Sequence, residues 1–169
     1  MRVLVKHSEI VEMAQTIGAQ LTSRFKGKNP LVVCVLKGAC PFHSELIKHM
    51  DIDLEVDYIQ VSSYKGTKST GNVHIKRDFD QNIEGRDVVL VEDIVDTGVT
   101  LNALKPMLEA RNPNSITVVS MLDKPSKRKV DFVPDYIGKT IDDLFVIGFG
   151  LDLDEKYRNL KDIYVYNED

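Results

Sequence analysis

Apolar positions along this chain recur with two periods. Ile10, Ala14, Ile17, Leu21 and Phe25 fall at helical spacing and predict a helix over residues 8–25, with Ser8 as its N-cap. Val11 stands where a capping box would place Glu or Gln, so that device is not expected. Gly27 and the Asn29-Pro30 turn end the segment. Residues 31–36 are an unbroken apolar run, as in a central parallel strand covered on both faces. Pro41 opens a helix reaching about Met50. Strands are expected at 54–61, from Val73 through Ile75, at 88–91, at 116–122 and at 144–150, and 162–166 alternates like a final edge strand. A helix starting near Thr100 presents Leu101, Leu104 and Leu108 on one face. Pro106 lies inside it, lacks an N–H to donate, and should bend it at a cost of roughly 3 kcal/mol if unrelieved. No function is assigned to Pro106.

The chemistry gathers at strand ends. After Val88, Val89, Leu90 and Val91 come two carboxylates, Glu92 and Asp93, and then Asp96-Thr97-Gly98-Val99-Thr100. A strand–loop–helix step offers backbone N–H groups at a helix start, which favours an anion. Gly98 permits close backbone approach, and Thr97 and Thr100 add hydroxyl donors. This describes a phosphate cradle, although the GxxxxGK[ST] loop is absent. Adjacent carboxylates beyond a strand suit ribose hydroxyls, magnesium, or both. The bland alternative is an ordinary turn with solvated acids. Lys37-Gly38 follows the 31–36 strand and reads either as a solvated turn or as a second anion site. Lys124 sits directly at the end of 116–122, at the head of a basic loop through Lys129. That loop is solvated or an anion-attracting rim. Residues 62–71, with Ser63-Tyr64 near their start, are rich in Gly and small polar residues and read as a hairpin loop or a mobile lid.

Composition narrows the class without naming it. A length of 169 residues suits one domain, residues 1–169, with a substantial core. The 43% hydrophobic and 28% charged content is that of a globular protein. A net charge of −4 argues against indiscriminate nucleic-acid binding. No apolar run approaches a membrane span, and the first seven residues are too short and too soon interrupted for a signal peptide. Cys34 and Cys40 lack CxxC spacing and are expected as reduced thiols, which points to the cytoplasm. His7, His43, His49 and His74 are scattered, with no HExxH pattern. A dinucleotide-binding reading fails for want of GxGxxG after the first strand.

The stretch 88–101 resembles the phosphoribosyl-diphosphate (PRPP) signature of type I phosphoribosyltransferases. With Leu36-Lys37-Gly38, the Ser63-Tyr64 loop, Lys124, Phe145-Val146, Asp152 and Arg158 following in family order, nearly the whole chain is similar to the hypoxanthine-guanine branch. The resemblance implies an α/β fold with a central, mostly parallel sheet, flanking helices and a small hood from the chain termini. It implies that the Leu36–Lys37 peptide can be cis, that Lys37, Gly38 and Arg158 hold pyrophosphate, and that Thr97, Gly98, Val99 and Thr100 hold the 5′-phosphate. Glu92 and Asp93 would hold the ribose, Asp96 would act as catalytic base, and Ser63 and Tyr64 would form the lid. The purine would meet Ile94, Lys124, Phe145, Val146 and Asp152. Mg²⁺ would be shared with Asp152, Glu92 and Asp93. Val99 departs from members carrying Lys there, so that donor must be replaced by backbone and hydroxyl groups. The resemblance is to the compact bacterial type, expected without the terminal extensions of longer members.

The reaction so implied joins PRPP to a 6-oxopurine base, hypoxanthine or guanine, and yields IMP or GMP and pyrophosphate. Neither nucleic acid nor membrane is an expected partner, and a homodimer or homotetramer is. Two alternatives stay open: a xanthine- or adenine-preferring transferase on the same scaffold, and a PRPP-sensing regulator that binds nucleic acid. The preference among hypoxanthine, guanine and xanthine is not legible in the residues.

Overall fold

The computed structural model describes residues 1–63 and 73–167. In chain order the elements are β1 (Arg2–Val5), α1 (His7–Arg24), β2 (Leu31–Leu36), α2 (Cys40–Ile47), β3 (Glu55–Ser63), β4 (Val73–Arg77), β5 (Asp87–Val95), α3 (Val99–Glu109), β6 (Ser115–Asp123), a short 3₁₀ turn (Pro125–Lys127), β7 (Tyr136–Thr140), β8 (Val146–Ile147) and β9 (Ile163–Val165). Tyr64 and the rest of the expected lid loop lie outside the described residues, as does the side chain of Ser63.

Six strands form one sheet in the order β4-β3-β2-β5-β6-β7, parallel throughout except for antiparallel β4. The buried runs of β2, β5 and β6 sit at its centre, as continuous apolar strands must when both faces are covered. Side chains alternate across it. Val32, Val89, Val91, Val119 and Met121 join one core with α1 and α2. Val33, Leu90 and Val118 join the other with Leu101, Leu104 and Leu108 of α3. Cys34 and Cys40 are free, and burial pushes the Cys34 thiol up to about 12.

A second, three-stranded antiparallel sheet, β1-β9-β8, forms the hood over one end. It corrects two expectations. Residues 144–150 are not one continuous strand, because only Val146 and Ile147 pair, and they pair with β9. Positive φ at Gly148, Phe149 and Gly150 curls the chain away after them. The 163–165 strand is the centre of the hood rather than an edge. Neither β1 nor β7 is visible in the hydrophobic pattern: one is four residues long, and the other carries Gly138.

Smaller corrections concern helix and strand ends. The α1 N-cap is Lys6, whose N–H donates to the Glu9 carboxylate at 2.8 Å, so half of a capping box exists two residues before the predicted start. β5 extends through Glu92 and Asp93 to Val95, because its pairing with β6 continues to Val95↔Asp123. α3 runs on through Pro106 to Glu109.

Leu90 is fully buried at the centre of the main sheet. Leu90→Ala should lower unfolding free energy by about 2–5 kcal/mol, the range for a buried Leu that leaves a cavity. Urea denaturation monitored by circular dichroism checks this. A loss under 1 kcal/mol would mean that this strand does not lie between the two cores.

Candidate active site

Three adjacent parallel strands end at one edge of the sheet. The turn after β2 carries Lys37 and Gly38, and its Leu36–Lys37 peptide is cis. The turn after β5 carries 96–98 and feeds α3. There Gly98 takes φ +77, and a Cβ on it would come within 2.9 Å of the Arg128 side chain. Val99 is the first residue of α3, and its N–H donates to Thr97 Oγ1 at 3.3 Å. The turn after β6 begins with Lys124, whose N–H donates to the Val95 carbonyl at 2.9 Å.

These tips border a cavity of about 330 Å³. Lys37, Gly38, Glu92, Asp93, Ile94, Asp96, Thr97, Gly98 and Thr100 line it from the sheet, and Asp152 and Arg158 from the hood. A smaller cavity of about 190 Å³ adjoins it, lined by Lys124, Phe145, Val146 and Leu151. Asp93, Ile94, Asp96 and Asp152 face both. The residues singled out in the sequence therefore converge, but on two abutting compartments rather than one. Phe145 arrives from the hood rather than from a parallel strand, and Val99 lines neither compartment.

At the junction of the cavities, the Lys124 ammonium lies 3.5 Å from Asp96 Oδ1. Lys124 is buried, its side chain 7% exposed, whereas that of Asp96 is 50% exposed. The cation is thus fixed, and the carboxylate remains open to a ligand. Phe145 is 52% exposed, its ring meeting Tyr166 edge-on with centroids 6.1 Å apart. In the larger cavity Arg158 donates to the Gly150 carbonyl at 2.6 Å and lies 3.4 Å from Asp152. Its Nε is buried without a hydrogen-bond partner among the described residues. A buried cationic donor left unpaired is costly.

Glu92 and Asp93 keep partial exposure to the cleft, yet the strand tips around them strip away much of their water. Desolvation, reinforced by Asp93 alongside, pushes the Glu92 carboxyl well above the usual carboxylate range. Desolvation raises Asp93 as well, opposed by the Ile94 N–H, which donates to it at 2.7 Å. Among the described residues no cluster of three or more His, Cys, Asp or Glu is poised to hold a metal by itself.

Three features escaped sequence reasoning. Gly150 faces Gly38 so closely that a Cβ on Gly150 would lie 2.0 Å from the Gly38 carbonyl, and one on Gly38 would lie 1.9 Å from Asp93 Oδ2. The clustered glycines of 148–150 were the available signal. Arg128, part of the loop expected to be solvated, donates to the Asp96 carbonyl at 2.7 Å and pairs with Asp123 at 2.5 Å, so it buckles the 96–98 turn in place. Glu155, which no motif in the sequence singles out, lies 3.0 Å from Lys37 Nζ and 3.2 Å from Arg158 Nη2.

Comparison with known proteins bears on this geometry. Residues 4–155 match the phosphoribosyl transferase domain. The hypoxanthine-guanine phosphoribosyltransferase of Streptococcus thermophilus is 49% identical over 99% of this chain and 94% of its own length. The crystal structure of a hypoxanthine phosphoribosyltransferase from Staphylococcus aureus superposes with a TM-score of 0.95 at 44% identity, covering 99% of this chain and 91% of the other. A Trypanosoma cruzi hypoxanthine phosphoribosyl transferase, studied for the role of its C-terminal region in oligomeric state and activity, gives 0.94 at 37% identity over 99% and 91% of the two chains. With a matched domain over most of its length and a relative at nearly half identity from end to end, the chain belongs to the phosphoribosyltransferase family.

Proposed function

We propose that this protein is a purine salvage enzyme that transfers the 5-phosphoribosyl group of PRPP to N9 of hypoxanthine or guanine, releasing pyrophosphate. The observation that carries the reading is the pair of abutting cavities sharing Asp96, one lined by phosphate-type donors and the other by a buried lysine and an aromatic face. In this reading the turn formed by Thr97, Gly98, Val99 and Thr100 takes the 5′-phosphate through backbone N–H groups and hydroxyls at the start of α3. Glu92 and Asp93 accept from the ribose hydroxyls. Lys37, Gly38 and Arg158 hold the diphosphate end. The base stacks on Phe145, a contact worth about 1–3 kcal/mol in comparable cases. It also meets Ile94 and the Val146 backbone, while Lys124 donates to its 6-oxo group. Adenine presents an amino donor at that position and is disfavoured.

The chemistry then follows from placement. A bond forms between N9 and the anomeric carbon as the bond from that carbon to the diphosphate oxygen breaks, and the diphosphate leaves with the electron pair. Charge develops at the ribose and on the leaving group, so the protein's contribution is orientation and preorganised opposite charge. Asp96, exposed to both cavities, accepts the purine N7 proton and makes N9 more nucleophilic. Lys124 at 3.5 Å keeps that carboxylate oriented.

The donor set fits a magnesium ion. Mg²⁺ takes hard oxygen ligands and commonly uses one or two carboxylates together with substrate phosphates. Asp152 would hold it from the hood, with Glu92 and Asp93 facing it across the larger cavity. When bound, the ion neutralises diphosphate charge. The assembled enzyme is proposed to be a cytoplasmic homodimer or homotetramer, and among the described residues no helix is long and apolar enough to cross a membrane.

The direct test is purified protein with PRPP, Mg²⁺ and each of four purines, following nucleotide formation. IMP or GMP should form, and AMP should not. Asp96→Asn should cut turnover about 10²–10⁴-fold while PRPP binding survives, as for loss of a general base. Turnover at the wild-type rate would remove Asp96 from the role. Lys124→Ala should erode the preference for hypoxanthine over adenine in a competition assay, and unchanged selectivity would place the base elsewhere.

A further prediction concerns stability without metal. A carboxyl whose affinity for a proton is raised by folding contributes stability that is full below the usual carboxylate range and lost as pH rises. Glu92 is such a group. Glu92→Gln should therefore raise the melting temperature in EDTA, more at pH 8 than at pH 5. Equal melting temperatures at both values would show that the paired carboxyls carry no such cost.

A further inference from the structure

Glu155 is exposed, its side chain at 63%, yet it joins two cations from distant parts of the chain. One carboxylate oxygen lies 3.0 Å from Lys37 Nζ at the β2 tip, and the other 3.2 Å from Arg158 Nη2 in the hood. These are the two side chains to which the proposed reaction gives the departing diphosphate. The local backbone is shaped around the contact. Asp154 and Glu155 take φ +52 and +66, a region that residues with side chains avoid, and the Glu155 N–H is anchored on Asp152 Oδ2 at 2.9 Å.

We propose that Glu155 is a built-in counter-anion for the diphosphate subsite, holding Lys37 and Arg158 in place before substrate arrives and giving way when diphosphate takes both cations. It is a positioning residue, and the proposal rests on reading the larger cavity as that subsite. The energetics favour exchange. Exposed ion pairs contribute little, so the internal pairs yield readily. Diphosphate brings more charge and makes charge-assisted hydrogen bonds to both cations. Once displaced, the carboxylate remains beside the bound anion as a like charge and competes for the same cations. It therefore lowers diphosphate affinity and favours release. Hydrogen bonding to Lys37, followed by that to Arg158, holds the Glu155 carboxyl below the usual carboxylate range, consistent with a fully charged group.

The test is calorimetric titration of the full chain with inorganic pyrophosphate and excess Mg²⁺, using wild type, Glu155→Gln, Glu155→Ala and Lys37→Ala. Both Glu155 variants should bind pyrophosphate about three- to tenfold tighter, the scale set by two exposed pairs. Their KM for PRPP should fall in parallel, with the KM for the base unchanged, a split that loss of structure would not produce. Lys37→Ala should bind pyrophosphate more weakly. If Lys37→Ala weakens binding while both Glu155 variants bind equally or less tightly than wild type, the counter-anion role is wrong and the subsite stands. If Lys37→Ala leaves pyrophosphate affinity unchanged, the subsite reading falls and takes the role of Glu155 with it.

Discussion

Two backbones meet at Gly38 and Gly150, and the site depends on that meeting. The tip of β2 approaches the hood so closely that a single methyl on Gly150 would lie 2.0 Å from the Gly38 carbonyl. On the other side, Gly38 leaves no room between itself and the Asp93 carboxylate. The β2 tip, the hood backbone and the Asp93 side chain of β5 are thereby brought to one point. The contact is also wired to a cation. The Gly150 carbonyl accepts from Arg158 at 2.6 Å, and the Gly150 N–H donates to the Arg158 carbonyl at 2.9 Å. Any side chain at either glycine would push the hood off the sheet and carry Arg158 with it.

Sheet register supplies the other half of the geometry. β5 and β6 pair in parallel, with Val95 opposite Asp123 as the last partners. The next residue on each strand is Asp96 and Lys124. Continuing the same register brings them side by side, and the Lys124 N–H still finds the Val95 carbonyl. The 3.5 Å contact between carboxylate and ammonium is thus a consequence of strand pairing rather than of flexible side chains meeting by chance. With its side chain only 7% exposed, Lys124 has little freedom to leave. The proposed preference for a 6-oxo purine rests on the same immobility, since a lysine free to swing could turn away from an amino group.

The main sheet was legible in the sequence because its central strands are covered on both faces. Such strands must be continuously apolar, and Val32, Val89 and Val119 stand in runs with no competing reading. The strand-end residues were legible for a related reason: once three parallel strands are placed, whatever follows them must lie at one edge. The hood came from the resemblance, and the hydrophobic pattern showed only its strand near 162–166. Its strands are two to four residues long, and β1 pairs with β9 from the opposite end of the chain. Periodicity cannot register a strand of two residues, so 144–150 reads as a longer one. The α1 N-cap escaped because Lys6 is not a residue that caps by its own side chain, and Glu9 supplies the bond instead.

Glu155 and Arg128 escaped for a different reason. In the sequence both belong to charged surface segments, where solvation is the sound default. Their significance lies in distances between residues far apart along the chain, and no local pattern encodes those. Burial separates the two cases once the chain is folded. Arg128 is largely covered and ties down the 96–98 turn, while Glu155 is open to water. The distinction is energetic. A covered pair between Arg128 and Asp123 resists separation, because either partner alone would be left desolvated, which suits a group that must not move. An exposed carboxylate between Lys37 and Arg158 has only a weak hold on each. In the proposed diphosphate subsite that weak hold is what exchange requires, because a buried partner of the same charge would compete too strongly with the incoming anion.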